Sequence, residues 1–321
     1  MPRRALITGI SGQDGSYLAE LLLAEGVEVH GVLREGADRG TDRLDGVRDA
    51  ATFHTGDLLE RGTLRRIVAA AVPDEIYHLA APTFVPASWE LLADSVHGIA
   101  TVTAELIEAV RAEAPGAHTV FATSREIFGP DAPSPQNEDT PCRPSSPYGV
   151  AKLAGHQLVG LLRERDGLHL SSAILFNHES PRRDPAFITR KVSAAVAAIS
   201  LGRQQELVLG NTAAIRDWSA ATDIVAALRL MAAAEQPGDY VLASGVGHSV
   251  AQLVETAFAC AGIEPDGRLR VDPALVRAPE LHPVVGDPAR AHERLGWRAE
   301  TSFEALVAQM VEADLAALRR S

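Results

Sequence analysis

The chain is expected to be an α/β protein, with a doubly wound parallel sheet and a smaller, interleaved C-terminal domain. Three observations predict this. Short apolar runs alternate with amphipathic helical stretches as far as Phe176, the pattern of parallel strands joined by crossover helices. Glycines recur every third residue between the first apolar run and the first helix. After Phe176 the alternation stops, yet no linker or low-complexity stretch sets the remainder apart, so the second region is woven into the first. At 321 residues the chain is long enough to bury a sizeable core.

Residues 5–8 read as a buried strand that passes through Gly9, Gly12 and Gly15 into a helix reaching about residue 25. Glycines in this context let a dinucleotide's pyrophosphate approach backbone at a helix N-terminus, which makes Gly9, Gly12, Gln13, Asp14 and Gly15 candidates for a cofactor site of Rossmann type. A purely structural turn would use the same glycines. The second strand, 27–33, ends at Arg34, and an arginine there accommodates the extra phosphate of NADP, whereas an acidic residue would bind the ribose of NAD. Glu35 would repel that phosphate if it faced inward, so NADP is expected and NAD stays open.

Residues 35–49 form a loop or short helix. Phe53 leads to Gly56-Asp57-Leu58, where Asp57 either accepts from an adenine amino group or caps a helix beginning near Leu59. A short strand over 75–79 runs into Leu79-Ala80-Ala81, small enough for backbone to meet a ligand; His78 has no partner at metal spacing and is a packed strand histidine. Helix 88–111 leads to strand 119–123. A proline-rich loop, 130–147, returns the chain to a helix that carries Tyr148 and Lys152.

Their spacing puts both side chains on one helix face, where an ammonium beside a phenol favours its ionised form. A free tyrosine, with a pKa of about 10, is otherwise a poor base at neutral pH. Tyr148 is therefore a candidate base, with Ser124 and Glu126 following the strand before it. The same spacing arises by chance on many helix surfaces, so the rest of the chain must carry the assignment.

Strand 170–176 is the last of the alternation. Beyond it, 177–183 has no regular period, and His178-Glu179 is no metallopeptidase motif because Pro181 breaks the helix and no second histidine follows. Arg190, Lys191, Arg203 and Arg216 gather cations that suit a diphosphate, although a solvated charged surface would look alike. Asp287-Pro288 and Gly296 read as a helix with Asp at the N-cap, Pro at the first position and Gly at the stop. Residues 301–304 read as a capping box opening a final helix whose Phe303, Leu306, Val307, Met310 and Val311 line one face.

The formal net charge of −12 argues against a nucleic-acid or anionic-membrane binder. Two distant cysteines, Cys142 and Cys260, suggest neither a disulfide framework nor a zinc cluster, and no metal is expected. The apolar run 5–7 is too short for a signal or a membrane span, so a cytoplasmic location is expected.

The glycine turn, Asp57-Leu58, the His78-Leu79-Ala80-Ala81 run, Ser124-x-Glu126 and Tyr148-x-x-x-Lys152 occur in the order of the extended short-chain dehydrogenase/reductases, which the chain resembles. The runs 10–20, 146–152 and 176–183, with Arg216-Asp217-Trp218, His248-Ser249-Val250 and Gly286-Asp287-Pro288, are similar to one branch, the GDP-mannose 4,6-dehydratases. The resemblance implies an NADP-binding Rossmann domain over 1–177 with 213–245, and a nucleotide-sugar domain over 178–212 and 246–321. It adds Leu58, Leu79, Ala80, Ala81, Tyr148, Lys152, His178 and Arg183 to the cofactor contacts. For a GDP-sugar it implies Thr83, Ser124, Asn177, Arg190, Lys191, Gly210, Arg216, Arg277 and Glu280, and for assembly a homodimer or homotetramer.

By the same resemblance, Tyr148 takes the sugar's O4 proton as hydride leaves C4, Glu126 removes the C5 hydrogen and helps expel the C6 hydroxyl as water, and hydride returns to C6. Three departures stand out. Arg125 replaces the usual small hydroxyl residue, and a cation beside Glu126 suits a base and hinders an acid. Pro82-Thr83-Phe84 replaces a more polar run beside the hexose, and Arg34 stands alone where the family has two arginines. A GDP-sugar epimerase or 4-keto reductase, and a non-catalytic nucleotide-sugar sensor, are the competing readings.

Overall fold

The computed structural model describes residues 2–34, 36, 42–275 and 282–320. Strand β1 (Arg4–Thr8) is buried along nearly its whole length and pairs in parallel with β2 (Glu28–Leu33) and β4 (Glu75–His78). Apolar residues on both of its faces demand cover on both sides, which is why helices flank it. With β3 (Thr52–Thr55), β5 (His118–Ser124), β6 (Leu170–Leu175) and β10 (Asp239–Leu242) it forms a seven-stranded sheet of order β10-β6-β5-β4-β1-β2-β3, every pair parallel.

Helices α1 (Gln13–Ala24) and α7 (Ala221–Ala233) cover one face through Leu18, Leu22, Ile224 and Leu228. Helices α2 (Thr63–Ala71), α4 (Val102–Glu113) and α5 (Pro147–Asp166) cover the other through Leu64, Ile67, Leu106, Val110 and Val159. The chain leaves β1 in one direction for β2 and β3, and later in the other for β4 to β6. The switch point therefore lies between β1 and β4, where Thr8 pairs with His78, and a crevice opens past those strand ends.

The expected helix 88–111 is not one regular helix. A 3₁₀ turn (Val85–Trp89) precedes α3 (Leu92–Val96), and a π-turn (His97–Thr101) joins α3 to α4. Gly98 lies within that turn under Pro82, whose ring is 3.3 Å from where a Cβ would stand. A helix does not begin near Leu59 either: Asp57 Oδ1 accepts from Leu59 N at 3.0 Å and closes a turn, and α2 starts only at Thr63.

The second unit holds β7 (Asn177–Glu179), α6 (Ile188–Ser200), β8 (Leu207–Leu209), β9 (Ile215–Ala220), β11 (Gly247–Ser249), α8 (Val250–Cys260), β12 (Leu269–Val271) and α10 (Phe303–Arg320). Its sheets, β11-β9-β7 and β12-β8, surround a core of Val192, Val196, Leu209, Trp218, Phe258, Phe303 and Met310. Helix α9 (Ala289–Leu295) returns to the large sheet: Ala291 and Trp297 join its core, and the Trp297 indole donates to Asp223 O at 2.8 Å. Helix α7 and strand β10 also belong to the large sheet's core, whereas β9 just before them pairs with β7 and β11.

Two caps differ by one residue from expectation. Pro288 is the N-cap of α9, with Asp287 Oδ1 accepting from Ala289 N at 3.1 Å, and Gly296 closes the helix at φ +67. Ser302, not Thr301, caps α10, accepting from Ala305 N at 3.1 Å, while the Thr301 hydroxyl donates to Asp223. The reciprocal capping box occurs instead at Ser249 and Gln252, opening α8. Among the described residues no helix is long and apolar enough to cross a membrane, and both cysteines are free thiols.

Candidate active site

The glycine turn lies at the switch point. Gly9 has φ +77, and a Cβ there would stand 2.8 Å from Ala80 N, so only glycine lets β1 end against the Leu79-Ala80 backbone. A Cβ on Gly15 would stand 2.2 Å from Gly9 O, so the start of α1 presses directly on the turn. Gly12 meets only Gly9 O, at 3.1 Å, and as the uncapped first residue it leaves the amides at the head of α1 to a ligand. Thr8 ties the two strand ends together: its hydroxyl bonds the His78 ring at 2.8 Å and accepts from Ala80 N at 3.3 Å. Burial, with the Lys152 charge, holds His78 down at about 3, so the ring is neutral and structural, as expected. Arg34 is exposed at the end of β2. This cradle fits a dinucleotide.

Three expected cofactor contacts spend their side chains on one another. Gln13 Nε2 donates to Asp14 Oδ1 (2.9 Å) and to His178 O (3.1 Å), Ser180 Oγ donates to Gln13 Oε1 (2.8 Å), and the His178 ring lies 2.9 Å from Asp14 Oδ2. Burial works against both charges, but the facing partner prevails, raising His178 above its ordinary value and lowering Asp14 below its own. Arg182, absent from the sequence assignment, extends the same contact: it donates to Ser16 Oγ (2.9 Å) and Glu20 Oε1 (2.6 Å) and lies 4.0 Å over the Tyr17 ring. The motifs at 10–20 and 176–183 are thus two halves of one joint. It fastens the cofactor helix to the segment that enters the second unit.

The chemistry-bearing residues meet past the end of β5. Ser124 ends that strand and its hydroxyl accepts from Glu126 N at 3.3 Å, opening the short turn Arg125–Ile127. Ser146 caps α5 through Gly149 N, and Pro147 at the first position sets the helix so that Tyr148 and Lys152 both point inward, 7% and 8% exposed. Burial pushes the Tyr148 phenol up to about 12; a hydrogen bond with Ser124 and the Arg183 charge work the other way, and the Glu126 charge adds to the rise. Lys152 lies one turn along the same buried face. Its Nζ donates to Ala122 O at 2.7 Å and lies 5.8 Å from the Tyr148 ring centroid, and burial lowers it to about 8. The four-residue spacing thus brings the Lys152 ammonium over the phenol ring, and the charge of Arg183, from the segment after β7, also favours the anion.

Arg183 lies 3.6 Å over the Phe187 ring, with Nε 3.3 Å from Glu179 Oε2, and Phe187 meets Phe84 edge-on at 6.1 Å. Val85, next in the chain, packs in the cluster of Tyr148, Ile99 and Ala81. An aromatic contact therefore spans the two units beside the tyrosine. Phe187 carried no motif of its own in the sequence. The nearby Thr83 is exposed, and Asn177 is half-buried at the start of β7.

Farther out, a cavity of about 390 Å³ is lined by Pro185, Arg190, Lys191, Ala194, Gln204 and Glu206 among others. Lys191 is exposed there, but Arg190 Nη1 pairs with Asp314 and donates to Ser193 Oγ at 3.1 Å, so this guanidinium is not a free diphosphate clamp. Arg216 lies on β9 and donates to Ile215 O at 2.9 Å; Gly210 presses on Leu275 O, 2.3 Å from where a Cβ would stand. Arg277 and Glu280 lie outside the described residues.

A parallel dinucleotide-type sheet with a half-buried serine and a buried tyrosine and lysine past its strand ends defines the class, an extended short-chain dehydrogenase/reductase. Within that class the chain belongs to the GDP-mannose 4,6 dehydratase family, which it matches over residues 6–310. It is 42% identical to the GDP-mannose 4,6-dehydratase of Sinorhizobium fredii, covering 98% of this chain and 97% of that protein. Identity to GDP-mannose 4,6 dehydratase 2 of Arabidopsis thaliana is 41%, covering 99% and 89%. Among solved structures, the UDP-glucose 4-epimerase of Thermus thermophilus in complex with NAD superposes with a TM-score of 0.84 at 26% identity, over 98% and 99% of the two chains.

Proposed function

We propose that this protein is a nucleotide-sugar 4,6-dehydratase that converts GDP-mannose to its 4-keto-6-deoxy form. The single observation that carries this is Glu126, two residues beyond Ser124 and with its charge acting on Tyr148: a simple 4-epimerase needs no base at C5. Ser124 and Tyr148 hold the O4 hydroxyl between them, and Tyr148 takes its proton. Oxidation at C4 makes the C5 hydrogen acidic, Glu126 removes it, and the C6 hydroxyl leaves as water. A nicotinamide cofactor, when bound at the glycine turn, supplies the hydride acceptor for C4 and the donor for C6, so the cycle is redox-neutral. Lys152, whose Nζ donates to Ala122 O, is assigned to the nicotinamide ribose.

Arg34, exposed at the end of β2, favours NADP over NAD. The nucleotide diphosphate is assigned to the cavity lined by Lys191, with Arg216 on β9 as a further cation and Asn177, Thr83 and Arg183 toward the sugar. Trp89, Leu92 and Val96 at α3 and Val150 on the neighbouring α5 are exposed large hydrophobics that support a homodimer or homotetramer. Two free cysteines fit a cytoplasmic setting.

Mass spectrometry of a GDP-sugar panel incubated with the NADP-loaded protein tests the reading. Loss of one water from GDP-mannose is expected; a product of unchanged mass from GDP-mannose, with none dehydrated, would assign an epimerase instead.

A further inference from the structure

Arg125 would project into solvent were it an ordinary surface cation. Its side chain is instead 11% exposed and folds back on its neighbour, with Nε 3.0 Å and Nη2 2.6 Å from Oε1 of Glu126. Both bonds fall on the same oxygen. The third nitrogen, Nη1, is buried without a hydrogen-bond partner. Burying a guanidinium with one nitrogen unsatisfied is costly, and adjacent residues gain little stability from such a pair; what the fork does gain is a fixed geometry for a long, otherwise mobile carboxylate. The backbone beneath is held too: Glu126 N bonds Ser124 Oγ, and Glu126 O lies 2.7 Å from where a Cβ on Gly149 would stand, directly after Tyr148.

We infer that Arg125 is a positioning residue for the elimination step, fixing Oε1 of Glu126 so that Oε2 is the oxygen that takes the C5 proton. The inference rests on the dehydratase reading above. The C5–H bond breaks, its electron pair passes into the C4 carbonyl as an enolate, and that pair then forms the C5–C6 double bond as the C6–O bond breaks. The C5 proton, carried by Glu126, leaves with the C6 hydroxyl as water.

Wild type, Arg125→Gln and Arg125→Lys, each loaded with NADP, are mixed with GDP-mannose. Absorbance of the reduced nicotinamide reports C4 oxidation, and mass spectrometry reports water loss. In Arg125→Gln, water loss is expected to slow by about 10²-fold, the cost of misplacing a reacting group by about 1 Å. C4 oxidation continues, so reduced cofactor accumulates, while KM changes little and Arg125→Lys recovers part of the rate. Water loss at the wild-type rate in Arg125→Gln overturns the inference, as does a parallel fall of oxidation and water loss. A substrate-free arm labels carboxyl groups with a water-soluble carbodiimide: Glu126 is expected to label faster in Arg125→Gln, and equal labelling overturns the positioning. A wild type that neither reduces cofactor nor loses water contradicts the dehydratase reading itself, and the carbodiimide arm still decides whether Arg125 holds Glu126.

Discussion

At Tyr148 the structure poses a problem that the ligands must solve. Burial has raised the phenol to about 12, so it is protonated at neutral pH until a substrate hydroxyl and a positively charged cofactor ring join the Ser124 hydroxyl and Arg183 in favouring the anion. The Tyr148→Phe variant is expected to lose about 10²–10⁴-fold in kcat, the usual contribution of a positioned acid or base, with little change in melting temperature because only the hydroxyl is removed. Steady-state rates and thermal unfolding check this; activity within a few-fold of wild type would remove Tyr148 from the chemistry.

The Asp14–His178 pair gives a pH signature. His178 is raised above its unfolded value of 6.5, so its contribution to stability is complete below that pH and is lost as pH rises through the raised folded value. Asp14 is lowered below 3.8, so its contribution is present above that pH and is lost as pH falls through the lowered folded value. Both contribute fully between the two. Asp14→Asn should therefore lower the melting temperature more at about pH 5 than at about pH 9; an equal loss at both would show that the pair is not ionised as described.

At the scale of elements, the glycine turn separates packing from binding. Gly15→Ala forces a Cβ against Gly9 O and should cost about 1–3 kcal/mol, read as a fall in melting temperature. Gly12→Ala meets the same oxygen only at 3.1 Å, so it should cost less stability while weakening cofactor affinity by titration. Helix α10 offers a simpler check: Ser302→Ala removes the cap on Ala305 N and should cost about 1 kcal/mol. Elements with long, unmixed signals were readable in the sequence: β1 and α1, β5, the Pro147 start of α5, and the apolar face of α10. The shift of one residue at Ser302 arose because two adjacent hydroxyls could serve the same helix start, and the tertiary contact of Thr301 with Asp223 decides between them. The π-turn at His97–Thr101 has no local signature, since it answers to the Pro82 ring packed on Gly98.

Across the whole molecule, β1, β2, β4, β5 and β6 of the large sheet were readable because buried strands write their own apolar runs, whereas β3, open along much of its length, and the late-arriving β10 left no such run. The second unit was not readable. Its strands β7, β8, β11 and β12 are three residues each, too short to show a period, and α9 crosses back to the large sheet by contacts distant in sequence. Ser124, Glu126, Tyr148 and Lys152, singled out in the sequence because chemistry restricts those side chains, come together past the end of β5. Other residues were missed or misjudged where a partner decides the role: Arg182 and Phe187 emerged only from the joint between units, and Arg190 is taken up by Asp314 from the far end of the chain.

That joint makes the molecule one device, in which the segment fastened to the cofactor helix also carries Arg183 to the tyrosine and Phe187 to Phe84. Its central claim is that hydrogen leaving C4 of the hexose returns to C6 of the same sugar after water has left. GDP-mannose labelled with deuterium at C4, incubated with the NADP-loaded protein, tests this most directly by nuclear magnetic resonance of the product. The account predicts deuterium at C6 of a 4-keto-6-deoxy sugar; deuterium restored to C4 with the C6 oxygen retained would contradict it.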